Sequence, residues 1–212
     1  LITPKKSVVI PGSGIDTSYF KPNRLKSNTT QLKLLFPSRV IREKGIIELI
    51  DACKLLWKED LPIVLYIAGN IDKGNRSSLK PSDIEKFKRT KNLFFLGHIE
   101  DMKSLYQKID VVILPSWREG LSRALLEAAA MERGIITTNV PGCREIVKNN
   151  KTGLIVNKKS ILGLKKSILK LFYNRTLLKK YGKEARKKVI KNFDVNLIND
   201  LTIKEYEKVI NN

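Results

Sequence analysis

Read for the alternation of apolar and polar positions, the chain divides into short β-branched runs separated by longer stretches of helical period. Candidate strands lie at Ser7–Ile10, Leu32–Phe36, Ile63–Ala68, Leu93–Leu96, Val111–Leu114, Ile135–Thr138 and Leu154–Val156. Between them, Gly45–Trp57 carries Ile46, Ile47, Leu49, Ile50, Cys53 and Leu56 on one broad face, and Pro81–Arg89, Met102–Lys108, Ser122–Met131 and Cys143–Lys148 are shorter helical segments. Three more helices are predicted at Ile161–Tyr173, Leu177–Lys191 and Val195–Ile210. Asn70–Ser82, with Gly74, Asn75, Ser77 and Ser78, reads as a mobile surface loop. No internal repeat is found. Alternating strand and helix implies an α/β fold: a doubly wound parallel sheet with right-handed crossovers and helices on both faces. Ligands of such sheets bind beyond the carboxyl ends of the strands, so chemistry is expected in the strand-to-helix loops.

A length of 212 residues suits one domain, and 42% hydrophobic content suits a packed core. Cys53 and Cys143 are the two cysteines, with no metal-ligand spacing around either, which favours a reducing, cytosolic compartment. The first residue is Leu1, so the chain is expected to be an excised domain, a processed product or a piece of a longer gene product. Lys5 and Lys6 interrupt any apolar leader, and no apolar run approaches the ~20 residues that cross a bilayer. The formal charge of +20, from 41 Lys+Arg against 21 Asp+Glu, fits three explanations: nucleic acid, an anionic membrane surface, or lysines on solvated helix faces. The lysines are spread along the chain without a zinc-finger, RNP-like or basic-zipper pattern, so nucleic acid is not expected as a partner.

Three loops carry candidate chemistry. After Val111–Leu114 the chain reads Pro115-Ser-Trp-Arg-Glu-Gly-Leu-Ser-Arg-Ala-Leu-Leu-Glu127. The amides around Gly120, Leu121 and Ser122 are unpaired at that helix start and form an anion site if they face the strand ends, with Ser122 as cap. Glu119 on the turn and Glu127 eight residues on can face one pocket, where carboxylates suit vicinal sugar diols. They also read as ordinary exposed acids favoured by the helix dipole. After Leu32–Phe36, Arg39 and Lys44 stand over the sheet's carboxyl edge, placed to hold a diphosphate, or are two solvated cations. Pro11-Gly-Ser-Gly14-Ile-Asp16 lacks the third glycine of a dinucleotide fingerprint; Gly12 and Gly14 permit either close approach to a ligand or a purely structural turn. His98, the one histidine, has no readable catalytic partner, but the backbone of the Gly97, His98, Ile99 turn can reach a base at the sheet edge.

Taken in order, Ser38-Arg39…Lys44-Gly45, Ile67-Ala-Gly69, Phe95-Leu-Gly97, Leu114-Pro-Ser116, Glu119-Gly120 through Glu127-Ala128, Pro141-Gly142…Glu145 and Thr152-Gly153 resemble the retaining GT-B glycosyltransferases that carry a Glu-x7-Glu motif in their C-terminal domain. The stretch Arg118–Val147 is most similar to the branch acting on capsule, O-antigen and other lipid-linked glycans of bacteria. The resemblance covers about residues 7–192 and implies a Rossmann-like, nucleotide-sugar-binding domain at residues 7–192. Residues 1–6 would be the tail of an interdomain linker, and residues 193–212 a C-terminal helix packing on an N-terminal domain that this chain lacks. It assigns Arg39 and Lys44 to the donor diphosphate, and Glu119 to the hydroxyls of the transferred sugar with the Gly120 and Leu121 amides nearby. Glu127 would hold the ribose, and the Gly97–Ile99 turn would border the base. No metal or other cofactor is expected. Glu132-Arg-Gly134 stands where many relatives have a Gly-Arg-Pro-like turn, and Asn139 where the branch is often acidic; neither lies in the donor-contact set.

The resemblance thus implies hexosyl transfer from a nucleotide-sugar to a glycan or lipid-linked acceptor, with anomeric retention. Arg39, Lys44 and Glu119 would carry the catalytic work, in a donor half expected to be inactive by itself. The location implied is cytoplasmic, peripheral on an anionic inner membrane surface. The alternative is an inert nucleotide-sugar-binding fragment or subunit that works with a separate acceptor-binding chain.

Overall fold

The computed structural model describes residues 7–23, 30–72 and 74–211; the expected linker tail at 1–6 lies outside them. Six strands form one sheet: β1 (Leu32–Pro37), β2 (Ile63–Ala68), β3 (Leu93–Gly97), β4 (Val111–Leu114), β5 (Gly134–Thr138) and β6 (Leu154–Val156). Their order is β3-β2-β1-β4-β5-β6 and every neighbouring pair is parallel, the Rossmann-like arrangement expected. The helices are α1 (Ile46–Trp57), α2 (Pro81–Lys88), α3 (Met102–Gln107), α4 (Arg123–Ala130), α5 (Pro141–Ile146), α6 (Ile161–Tyr173), α7 (Arg175–Phe193) and α8 (Val195–Ile210). From β1 the chain steps outward through β2 to β3, and from β4 in the other direction to β6. Right-handed crossovers therefore put α1 and α4 on opposite faces. α6 packs on α1, and α7 packs on α4 and β5.

β4 and β5 are buried at every position, as strands covered on both faces require. The remaining apolar weight of the core comes from Leu34, Leu35 and Phe36 of β1, Leu49 and Ile50 of α1, and Leu125 and Ala129 of α4. α7 runs the height of the sheet. At its start, the Arg175 guanidinium lies 3.7 Å from Asp110, just before β4. At its end, the Phe193 carbonyl accepts from the Ile15 amide at 2.8 Å, and the Val195 amide donates back to Ile15 at 3.0 Å.

The predicted strand at Ser7–Ile10 is not one. It pairs with nothing among the described residues, and Val8 and Val9 are 62% and 91% exposed. Its β-branched composition is a preference for a half-buried pleat, and both slots beside β1 are already taken by β2 and β4. Cys143–Lys148 is displaced to Pro141–Ile146 because Pro141 occupies the first turn, where its missing N–H costs nothing. Leu177–Lys191 is longer at both ends, capped by Asn174, whose side chain accepts from the Leu177 amide at 2.8 Å.

Leu35→Ala, in a fully buried position of β1, should cost about 2–5 kcal/mol of stability, whereas Val9→Ala should stay within about 0.5 kcal/mol of the wild type. Urea denaturation midpoints check both, and a large effect at Val9 would restore the strand that the structure removes.

Candidate functional site

β1 and β4 pair only at Leu34↔Val111 and Leu35↔Val112, so Phe36–Pro37 and Ile113–Leu114 part company and open a crevice at their carboxyl ends. This is the point where strand order reverses, and the two loops leaving it are the ones with the candidate cations and acids. They are sewn together by backbone. Gly45 has φ +74°, and a methyl placed there would fall 2.1 Å from the Pro115 carbonyl oxygen, so only glycine lets the loops touch. The Trp117 amide donates to the Glu43 carbonyl at 2.8 Å, and Arg118 pairs with the Glu43 carboxylate at 3.1 Å. On the far side, a methyl on Gly142 would fall 1.9 Å from the Gly120 carbonyl oxygen, so α5 also presses on the turn.

Across this seam Lys44 Nζ donates to both oxygens of Glu119, at 3.0 Å to Oε1 and 2.8 Å to Oε2. The pair is largely closed off, with side-chain exposures of 17% and 14%. Beyond Glu119 the Ser122 hydroxyl caps α4, accepting from the Leu125 amide at a long 3.4 Å. The amides of Gly120 and Leu121 donate to no acceptor among the described residues. A half-buried ammonium beside free amides at a helix start is an arrangement that attracts an anion.

One turn into α4, Glu127 is buried and both its oxygens are partnered: Arg123 Nε donates to Oε1 at 3.0 Å and the Tyr106 hydroxyl to Oε2 at 3.1 Å. Burial raises its carboxyl above the ordinary value, with the Arg123 and Tyr106 hydrogen bonds opposing the rise. Burial and the Glu127 charge push the Tyr106 phenol well up, keeping it a neutral donor. Glu127 and Arg123 form one wall of a cleft of about 460 Å³, faced by Gly14, Asp16, Tyr19, Met102 and Lys103. The Lys103 ammonium sits 4.4 Å from the centre of the Tyr19 ring. Asp16 accepts from the Ser18 and Tyr19 amides at 2.9 and 2.8 Å, shaping the turn that presents that ring.

The structure thus brings Lys44 and Glu119 into contact and places Glu127 in the neighbouring cleft, one helix turn from the free amides. Arg39 is 60% exposed and turned to Asp72, 2.8 Å away; it makes no ion pair with either glutamate. Gly14 lines the cleft, and Gly12 lies against Leu121, whose Cδ2 would stand 2.6 Å from an added methyl. Gly97 ends β3 with φ +69°, Ile99 packs on the core and His98 is exposed; the cleft wall begins just after them, at Glu100.

The described part of Asn70–Ser82, expected to be a mobile surface loop, is stitched to the site. The Arg42 amide donates to the Ser77 carbonyl at 2.8 Å, the Ser77 hydroxyl to Glu43 at 3.2 Å, and Leu79 is buried. Its polar residues order it: Asn75 Oδ1 accepts from the Ser77 amide at 2.8 Å. Tyr106, Lys103 and Tyr19 were not singled out from sequence. The available signal was Asp101 three residues before Ser104, a capping pattern that starts α3 and sets Tyr106 on its inner face. Among the described residues no group of three His, Cys, Asp or Glu side chains is placed to hold a metal ion.

Residues 19–188 match the family described as Glycosyl transferases group 1. The chain is 30% identical over 193 residues to a capsular polysaccharide biosynthesis glycosyltransferase, CapM, of Staphylococcus aureus, covering 88% of this chain and 50% of that one. A glycosyltransferase of Rickettsia africae superposes with a TM-score of 0.84 at 27% identity, over 100% of this chain and 59% of its own. Anabaena Alr3699/HepE, solved with UDP-glucose, superposes with a TM-score of 0.79 at 20% identity, over 92% of this chain and 56% of its own. The chain spans about half the length of the curated relatives it matches.

Because Glu127 is held above its ordinary value of 4.5, it keeps its proton in the fold at a pH where the unfolded chain has lost it. Its contribution to stability is therefore full below that ordinary value and falls as pH rises through the raised one. Glu127→Gln, which has no charge to bury, should gain in melting temperature relative to the wild type as pH is raised from about 4.5 toward 7. Thermal unfolding at a series of pH values reads this directly, and a gap that narrows with rising pH contradicts it.

Proposed function

This chain belongs to the glycosyl transferases group 1 family, and we propose that it is the nucleotide-sugar-binding half of a retaining, two-domain member of it. The observation that carries the reading is the Lys44–Glu119 contact across the strand switch point, beside the free amides of Gly120 and Leu121. In this reading the diphosphate lies over those amides with Lys44 against it, and Arg39 leaves Asp72 to join them. An exposed ion pair is worth about 0–1 kcal/mol, so that exchange is easy. The ribose enters the cleft and donates its hydroxyls to Glu127, with the base against Tyr19, Met102 and Lys103. Glu119 takes the hydroxyls of the sugar. The UDP-glucose bound to the Anabaena protein of like fold supports a nucleotide-sugar as the class of ligand.

As the glycosidic bond to phosphate stretches, positive charge grows on the sugar ring and negative charge on the leaving phosphate. Lys44, Arg39 and the amides stabilise the latter. Glu119 fixes the ring. The departing phosphate takes the acceptor's proton on the face it leaves, which accounts for retention without a protein base, and neither a metal nor another cofactor takes part. The acceptor site is supplied by a second domain or a separate chain. The face that α8 offers it is apolar and exposed at Leu201, Ile203, Tyr206, Val209 and Ile210. The donor half is inactive until that partner covers it. Similarity to a capsule enzyme and the charge of +20 support a glycan or lipid-linked acceptor at an anionic membrane surface.

Calorimetric titration with UDP-, GDP- and ADP-sugars should find one that binds, with Lys44→Ala weakening it on the order of tenfold or more. If no nucleotide-sugar binds, the donor-half reading is wrong. With the partner domain supplied, Glu119→Ala and Lys44→Ala should each lower kcat by about 10²–10³-fold. Near-normal turnover in both would reassign the site, and binding without turnover in any pairing would favour an inert binding subunit.

A further inference from the structure

We propose that the outer face of α7 is a docking surface for an anionic lipid bilayer, and that it lays the rim of the cleft along the membrane. This deepens the membrane reading above by assigning it a face; the face itself rests on charge and exposure. α7 carries eight basic residues and one acid, Glu184, in its 19 residues. Its net charge of +7, eight minus one, is over a third of the chain's +20 in under a tenth of its 212 residues. Leu178, Tyr181, Ala185, Val189 and Phe193 are buried where α7 packs on α4 and β5. That packing leaves Lys179, Lys180, Lys183, Lys187, Ile190 and Lys191 exposed on the other side. At about 100° and ~1.5 Å per residue they fall within an arc of about 120°, and the lysines span about 18 Å.

A merely solvated helix face gains by alternating its signs, because like charges four residues apart repel and opposite ones attract. α7 does the reverse. Lys179, Lys183, Lys187 and Lys191 follow one another at four-residue intervals. Lys187 pairs with Glu184 at 2.7 Å, but Lys179, Lys180, Lys183 and Lys191 make no ion pair or side-chain hydrogen bond among the described residues. A negative surface laid against the row relieves that repulsion. The row has neither the planar forks of arginine nor aromatic rings between its ammonium groups, so it suits a sheet of diffuse charge better than the spaced phosphates and bases of a nucleic acid. Ile190 adds an apolar contact amid the lysines, of the kind that enters a headgroup layer. α8 differs: beside its exposed apolar residues it has three acids against two lysines, and an anionic surface gains nothing there. Lys191 lies two residues before Phe193, whose carbonyl holds Ile15 on the wall of the cleft. A bilayer along α7 therefore reaches the cleft rim, where an acceptor carried on a lipid would arrive.

The test is co-sedimentation of the 212-residue chain with vesicles of phosphatidylcholine alone and of phosphatidylcholine mixed with phosphatidylglycerol, with no nucleotide present. The mixed vesicles should bind on the order of tenfold more tightly or better at about 0.1 M salt, and the preference should fade toward about 1 M. The combined change Lys179→Gln, Lys180→Gln and Lys183→Gln should weaken that binding on the order of tenfold or more, since each lysine at such a surface contributes roughly fivefold. Lys58→Gln, Lys86→Gln and Lys91→Gln together remove the same charge from exposed sites elsewhere and should weaken it less than about threefold. Arginine at 179, 180 and 183 should keep the binding, because charge is what the bilayer reads, and thermal scans should place all three variants near the wild type. Equal binding to both kinds of vesicle overturns the proposal, as do equal losses in the two glutamine variants. So does a nucleic-acid duplex that binds more tightly than the mixed vesicles and depends on the same three lysines. Because no nucleotide enters the assay, its failure leaves the donor site standing, and failure of nucleotide-sugar binding leaves this surface standing.

Discussion

β1 and β4 share the register pairs Leu34↔Val111 and Leu35↔Val112 and then diverge. Had they stayed paired to their ends, the ladder would have filled the space that the crevice occupies. The two adjacent strands lead away from that gap to opposite faces of the sheet, each through a loop into a helix, and the Gly45–Pro115 contact holds those loops against each other. The position of Lys44 relative to Glu119 is therefore a property of the sheet. Each residue sits on a short turn braced by backbone on both sides, the first by Ser77 and Ser78, the second by Gly142. A site built on such supports keeps its geometry without relying on long side chains to find it.

A charge of +20 would by itself make any anion welcome anywhere on the surface. The two candidate diphosphate cations are distinguished by being held: Lys44 by Glu119, Arg39 by Asp72. The carboxylates hold these side chains in place and offset their charge locally. Glu127 differs in kind. Its oxygens are already satisfied by Arg123 and Tyr106 in a buried setting, which fixes its orientation before anything binds.

The sheet was legible in the sequence because parallel strands covered on both faces read as unbroken apolar runs, and five of the six begin at the residue where periodicity places them, the sixth one residue earlier at Gly134. Ser7–Ile10 misled because composition reports what a segment would tolerate, while a strand also needs a vacant neighbour. The two charged loops were legible for a reason that is topological: a sheet that reverses direction leaves its chemistry at one edge. The Arg39–Asp72 pair and the stitched Asn70–Ser82 segment were not, since side chains thirty-three positions apart declare their proximity only in three dimensions. The same holds for the cleft wall. Tyr19, Lys103 and Arg123 come from three elements with no shared motif, and the fold alone assembles them.

The bond between Ile15 and the Phe193–Val195 corner has a temporal meaning. During synthesis, the turn that carries Gly14 and Asp16 emerges long before the Phe193–Val195 corner that bonds Ile15, so that bond is among the last to form. The central sheet can assemble well before then, but the cleft that faces Glu127 cannot close. Nascent chains would therefore acquire a stable core early and competence for ligand last, a lag imposed by long-range contact rather than by any slow chemical step.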